Sequence, residues 1–346
     1  MPVLVRAAAA VSTGFLLAST AFGQAAAGAN VDRTLAFAND SAPAGRQEIV
    51  NAIRVLTDIL IALDERRSTL KVSGPAAQVE LAAWLFGELD QAPSAQNRGV
   101  REYQVHGTAD VVARVFRPQY LQTRQQLQEF VVVVRTTVDL QRIFPCTPAQ
   151  AVVVRGDAAR VALAEWLLNA LDKPAGSATA APAKLNWEEP GVGPARTPVA
   201  PDLQMPEVRV TYLKVANQQQ LQEIANGLRM VTDMRRMYPY SRLNALVWRG
   251  TLEQDALGEW LLKELDAPTS GEYQMSRDQG IVKVARLGAG TTAPALQALV
   301  NALRTTTGMG RLFPIAARNA IMMRGSASQI ARAEQMIRER ETTAFR

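Results

Sequence analysis

The residues that could do chemistry are few, and most of them are arginines. In 346 residues there is one histidine, His106, and one cysteine, Cys146. An intramolecular disulfide therefore cannot form. A Cys/His metal site needs three or four ligands, and two such side chains cannot supply them. A nucleophile–histidine set would have to use His106, and no nucleophile motif lies near it. Cys146 sits in the apolar run Ile143-Phe144-Pro145-Cys146 and reads as a small buried hydrophobe. Gly288-Ala289-Gly290 is too short for a phosphate-binding loop. No constellation names a reaction, so the expectation is a non-enzyme with no metal and no cofactor.

The arginines recur at fixed places. Arg54, Arg135, Arg229 and Arg304 stand near the end of a helical pattern, where the helix dipole favours a cation. Each of the first three has an aspartate four residues on, Asp58, Asp139 or Asp233, and pairing with it is the structural expectation. Arg155, Arg249 and Arg324 each precede a glycine at the end of an apolar strand. The functional alternative is that both sets together make a repeated contact for an anion or a partner carboxylate. Trp84, Trp166 and Trp260 recur on apolar helix stripes and are expected in the core; exposed, they would be interface anchors.

These recurrences belong to a fourfold internal repeat. Gln47-Glu48-Ile49-Val50-Asn51-Ala52-Ile53-Arg54 returns as Gln222-Glu223-Ile224-Ala225-Asn226-Gly227-Leu228-Arg229, with weaker copies ending at Arg135 and Arg304. An aromatic-proline pair follows in three copies, at Phe144-Pro145, Tyr238-Pro239 and Phe313-Pro314. Next come the strand-ending glycines Gly74, Gly156, Gly250 and Gly325. Leu-Asp closes three copies, at Leu89-Asp90, Leu171-Asp172 and Leu265-Asp266. In the fourth, Gln335 replaces the tryptophan and Glu341 the aspartate.

Each unit reads as β-α-β-β-α: an alternating strand such as Val208, Val210 and Tyr212, an amphipathic helix over roughly 218–232, two short strands, and a second helix. Thr251, Asp157 and Ser326 are placed to cap that second helix. The expected fold is α+β, four tandem modules, each a three-stranded sheet with two helices on one face. The units span 31–93, 101–174, 207–268 and 272–341. Residues 175–206, rich in Pro, Ala and Gly, read as a flexible linker between two two-unit blocks. Its Glu188-Glu189, beside Trp187, is expected to be solvated.

Residues 1–23 read as a signal peptide. Arg6 supplies the charge, Ala7 to Ala21 the apolar stretch, and Ala21-Phe22-Gly23 the small-residue cleavage site. No cysteine follows it, so a lipoprotein anchor is not expected. A periplasmic or secreted chain is, with no transmembrane segment after cleavage.

The β-α-β-β-α order, the apolar-Arg-Gly strand end and the Leu-Asp-Pro helix end resemble the periplasmic N-terminal repeat domains of bacterial secretins, the ring-building, KH-like modules. The resemblance covers the four units. It implies modules that contact partner proteins or copies of themselves and carry no catalytic residues. The chain departs from that family in stopping after its fourth unit, where a secretin continues into an outer-membrane barrel. KH domains also bind RNA, through a GXXG loop. Here the strand-end glycines stand alone, the net charge of +6 is scattered, and an export signal leads away from RNA. The expected function is a non-catalytic extracytoplasmic interaction or assembly module. The alternative is an envelope ligand-binding protein using the repeated arginines.

Overall fold

The computed structural model describes residues 30–39, 42–94, 98–106, 110–176, 181–187, 206–267, 271–276, 280–288 and 291–344. Residues 1–23, read as a signal peptide, and Glu188-Glu189 lie outside them.

The first unit is β1 (Asn30–Ala36), α1 (Pro43–Leu56), β2 (Leu60–Asp64), β3 (Thr69–Pro75) and α2 (Ala76–Leu89). The second is β4 (Gly99–Gln104), β5 (Val111–Arg117), α3 (Arg124–Val138), β6 (Ile143–Cys146), β7 (Ala151–Asp157) and α4 (Ala158–Leu171). The third is β8 (Ala183–Asn186), β9 (Glu207–Tyr212), α5 (Gln218–Thr232), β10 (Arg236–Tyr240), β11 (Ala245–Gly250) and α6 (Leu252–Asp266). The fourth is β12 (Glu272–Gln274), β13 (Ile281–Arg286), α7 (Ala293–Thr307), β14 (Arg311–Ile315), β15 (Ala320–Gly325) and α8 (Ala327–Ala344).

The α+β class and the β-α-β-β-α order are as the sequence implies. In every unit the last strand lies in the middle, antiparallel to both neighbours. Among the described residues the three-strand expectation holds only for the first unit. The other three sheets gain a fourth strand, β4, β8 or β12, on the free edge of the unit's first strand. One of these, β8, lies inside the stretch read as a linker. It pairs with β9, and Trp187 beside it is buried. Four residues are too short a pattern to stand out against a Pro/Ala/Gly background.

Local chemistry fixes the joints. Thr251 accepts from the Gln254 N–H and Asp157 from the Arg160 N–H, as N-caps do. Asp90 and Asp172 close their units by accepting backbone N–H groups after the first strand, from Ala38 at 2.6 Å and Tyr120 at 2.6 Å. In the fourth unit Glu341 takes that role with a longer arm, accepting from Gly288 at 3.2 Å. A Cβ on Gly156 would stand 2.4 Å from Leu140, and one on Gly74 2.7 Å from Ile59. The strand-end glycine thus leaves room for the side chain that follows the first helix.

The units stack in layers, each sheet after the first lying between its own helices and those of the unit before. One hydrophobic cluster joins the first unit's interior to Ala113, Val115, Cys146 and Val153 of the second sheet. Another joins α3 and α4 to Val208, Tyr240 and Val247 of the third. A third joins α5 and α6 to Val284, Ile315 and Met322 of the fourth. Middle strands buried on both faces read as unbroken apolar runs, such as Ala151-Val152-Val153-Val154 and Ala245-Leu246-Val247-Trp248. The second cluster crosses from the second unit to the third, so the expected division into two separate blocks is not what the packing shows.

Candidate functional site

The polar groups that recur in the sequence converge on the seams between units. Glu48, Glu129 and Glu223 each lie six residues before a helix arginine, on the face of the first helix that meets the next sheet. Glu48 accepts from the Thr147 N–H at 2.9 Å and its hydroxyl at 2.8 Å, and pairs with Arg124 at 2.7 Å. Glu129 accepts from the Ser241 N–H at 2.6 Å, and Glu223 from the Ala316 N–H at 2.7 Å. In each seam a carboxylate satisfies a backbone donor just past the next unit's outer strand. Reading the sequence singled out no role for these glutamates; their signal was three occurrences at one repeat position and alanine, Ala298, in the fourth.

The helix arginines do not pair with the aspartates four residues on. Arg135, Arg229 and Arg304 reach forward within their own unit, donating to the carbonyls of Ile143 (2.8 Å), Met237 (2.7 Å) and Leu312 (3.1 Å). Arg54 donates to Asn51. The aspartates take an arginine from the following unit instead. Asp58 binds Arg142 at 2.9 Å, Asp139 binds Arg236, and Asp233 binds Arg311 at 2.7 Å. A carboxylate just past a helix end meets the cation there only when the next unit brings one.

The strand-end arginines cross the same seams. Arg155 donates to the Leu56 carbonyl at 2.7 Å and to Gln78 at 2.9 Å. Arg324 donates to the Val231 carbonyl at 3.0 Å. Both put a guanidinium on the carbonyl end of the preceding helix, where the dipole favours it. Arg249, 1% exposed, lies 4.1 Å from the Trp187 ring centre. The two arginine sets are thus engaged separately, one within units and one mainly across seams, and do not combine into one anion-facing patch.

Trp84, Trp166 and Trp260 are half-buried at the seams rather than in the core of their own unit. Trp84 meets Tyr103 of β4 with ring centres 5.3 Å apart, and Trp260 meets Tyr273 of β12 at 5.4 Å. Trp166 packs on the cluster that includes Ala183 and Leu185 of β8. The stripe points past its own sheet because the added strand of the next unit widens the surface beneath it. The fully buried tryptophan is Trp248, on a middle strand.

The third unit holds a buried polar cluster. Arg209 grips Asp255 through two bonds, at 2.8 and 2.7 Å, and the Trp248 ring N–H donates to the same carboxylate at 3.0 Å. Lys184 of β8 approaches Asp255 at 3.3 Å and Glu207 at 2.9 Å. Burial pushes the Asp255 carboxyl up, but Arg209, Trp248 and Lys184 outweigh it and hold the group below its ordinary value. Cys146 is buried in the first seam, and burial pushes its thiol up to about 12. His106 is exposed, edge-on to Tyr103. Among the described residues no group of three His, Cys, Asp or Glu side chains could hold a metal ion, and no helix is long and apolar enough to cross a membrane.

No protein-family model and no curated protein matches the sequence. Solved structures give distant likenesses. A protein of unknown function from Aeropyrum pernix is 13% identical with a TM-score of 0.21, over 42% of this chain and 83% of its own. The secretin of an ETEC pilotin–secretin complex is 15% identical at 0.16, over 89% and 55%. ExeD of Aeromonas hydrophila is 16% identical at 0.16, over 85% and 59%. The chain spans little more than half the length of these secretins, and at such scores the likeness carries no argument about function.

Proposed function

We propose that this chain is a non-catalytic extracytoplasmic scaffold whose modules work by docking. The observation that carries the reading is the seam, which occurs three times in one chain. A helix carboxylate on a turn N–H recurs at all three, as does an arginine on an aspartate past a helix end. An arginine on a helix-end carbonyl recurs at the first and third. Docking of one module on another is the chemistry these units repeat, and the two outer faces of the stack are where a partner protein would meet it. Export by the N-terminal signal would place it in the periplasm or outside the cell. The ligand-binding alternative loses its stated basis, because the repeated arginines hold the protein's own groups.

The test is site-specific photo-crosslinking from Lys71 and Ala302, one on each end unit, in exporting cells, with light scattering on purified residues 24–346. A discrete protein adduct from an end face, or a defined oligomer, is expected. A monomer that forms no adduct from either end overturns the reading.

A further inference from the structure

The first seam contains a crevice that the other contacts do not explain. It lies where the chain leaving α2 passes the end of β5 and the turn between β6 and β7, and has a volume of about 120 Å³. Arg117 and the small, buried Ala149 line it, with Arg98 and Gln150. The Arg117 side chain is only 6% exposed. Its Nη2 donates to the Glu88 carbonyl at 2.6 Å and to the Glu88 carboxylate at 3.0 Å. Its Nη1 is buried and has no hydrogen-bond partner. A guanidinium fork has donors on both terminal nitrogens, and a buried donor left unmade is costly.

The same corner is built differently in the later units. Counting back from the middle strand, the position of Ala149 is taken by Leu243 in the third unit and by Arg318 in the fourth. Leu243 is buried, and Arg318 pairs with Asp266 at 3.2 Å. Only the second unit places alanine there and so leaves room. The crevice therefore joins three features: space for a small group, a buried cationic donor, and a second arginine, Arg98, at its exposed margin. The carboxylate that meets Arg117, Glu88, is already held by Nη2, and Glu48 nearby is held by Thr147 and Arg124.

We propose that this crevice binds a compact tetrahedral oxyanion, a phosphate- or sulfate-like group, with its oxygens accepting from the free Nη1 of Arg117 and from Arg98. The planar fork suits such oxygens, and the buried position strengthens the contact. The group could arrive as a free ion or as the terminal phosphoryl group of a larger molecule. The inference does not rest on the docking function, since it concerns a crevice within one seam and not an end face.

The experiment is calorimetric titration of the full mature chain with inorganic phosphate, and separately with glycerol phosphate, against chloride at matched ionic strength. Saturable binding of phosphate is expected, and tighter binding of the ester would identify a phosphoryl group on a larger molecule as the source. Arg98→Gln, on the exposed rim, should weaken binding at least about tenfold with unchanged melting. Ala149→Leu, which copies the third unit, should abolish it by filling the floor. If Ala149→Leu fails to fold, Arg98→Gln decides. Binding no stronger than that of chloride, or equal binding by wild type and Arg98→Gln, would overturn the proposal.

Discussion

The first and second sheets share a fold but not a setting. β7 runs Ala151-Val152-Val153-Val154, all buried, because α1 covers its outer face. At the same positions β3 runs Thr69-Leu70-Lys71-Val72 and alternates, with Lys71 exposed and paired to Asp32. The far end shows the same contrast on helices. α5 presents Glu223, Gly227 and Val231 to the fourth sheet, whereas the corresponding Ala298, Ala302 and Thr306 of α7 are exposed. The seam arginines also vanish at the start: Leu60 and Ser73, facing each other on the first sheet, stand where Arg142 and Arg155 stand one unit later. Positions kept through three units and lost at the ends belong to docking, not to the fold of a single unit. Their loss sets the outer faces of the first and fourth units apart from the seams, as capping units differ from inner ones in other repeat arrays.

The contrast breaks most visibly at the strand centres. Val153→Lys would bury an ammonium in the first seam without a partner, and should cost several kcal/mol and unfold the first two units. Lys71→Val changes the equivalent position at the end. It should shift stability by less than about 0.5 kcal/mol and, by exposing an apolar side chain, promote self-association. Chemical denaturation with light scattering reads both. Equal destabilisation by the two would erase the distinction between seam and end.

Next in size is a position where the third unit differs from the rest. Asp255 stands where Val79, Val161 and Ile330 are buried in the other units. Asp255→Ala would leave Arg209 and the Trp248 ring N–H without their shared acceptor, and should cost about 3–5 kcal/mol, measured by denaturant midpoint. The sign with pH follows from the depressed carboxyl. A group whose folded value lies below its unfolded one stabilises fully above the unfolded value and loses that contribution as pH falls through the folded one. The gap between wild type and Asp255→Asn should therefore narrow as the solution is acidified below about pH 4. A gap that widens in acid would show that Asp255 is not held ionised.

Much of this was legible in the sequence. The repeat, the strand and helix order, the caps at Asp157 and Thr251 and the burial of Cys146 all follow from local pattern. The seams were not, because they join residues about 80 to 110 apart in the chain, and no spacing rule connects Glu48 to Thr147 or Asp58 to Arg142. The nearest available partner, four residues along a helix, was the wrong one for each aspartate. One cue to stacking does lie in the local pattern: a middle strand apolar at four successive positions implies cover on both faces, while Thr69 to Val72 alternates. The crevice was beyond reach, since Arg98, the strand-end Arg117 and the turn residue Gln150 are distant in the chain and come together only in the folded second sheet.

The carboxylates rank third. Glu48 is nearly buried and accepts two hydrogen bonds from Thr147, so Glu48→Ala should cost about 1.5–3 kcal/mol. Ala298→Glu, which restores the residue at the open end, should change nothing. Cys146 offers a local readout, because its thiol is buried in that seam and burial disfavours the thiolate. Maleimide labelling should be very slow in wild type and at least about tenfold faster in Glu48→Ala, while Ala298→Glu labels like wild type. Fast labelling of the wild-type chain would mean that the first seam is not closed in solution.

The smallest effects belong to the exposed ion pairs. Arg142 and Asp58 are 41% and 67% exposed, so their attraction is screened by water and opposed by side-chain entropy. Asp58→Ala should cost no more than about 1 kcal/mol, and the cost should fade in about 1 M salt, where charges are screened within a few ångströms. Asp233 is a sharper case because it has two jobs. It takes Arg311 across the third seam, and it ends α5 in a left-handed conformation with φ of 59°. Asparagine tolerates that conformation and alanine does not. Asp233→Asn should therefore show only the small, salt-sensitive loss of the ion pair, while Asp233→Ala adds a salt-independent loss from the cap. If Asp58→Ala proved as damaging as Glu48→Ala, and equally so in high salt, charge pairing at the rim would outrank the buried carboxylate, and the seam would be held from its edge rather than its centre.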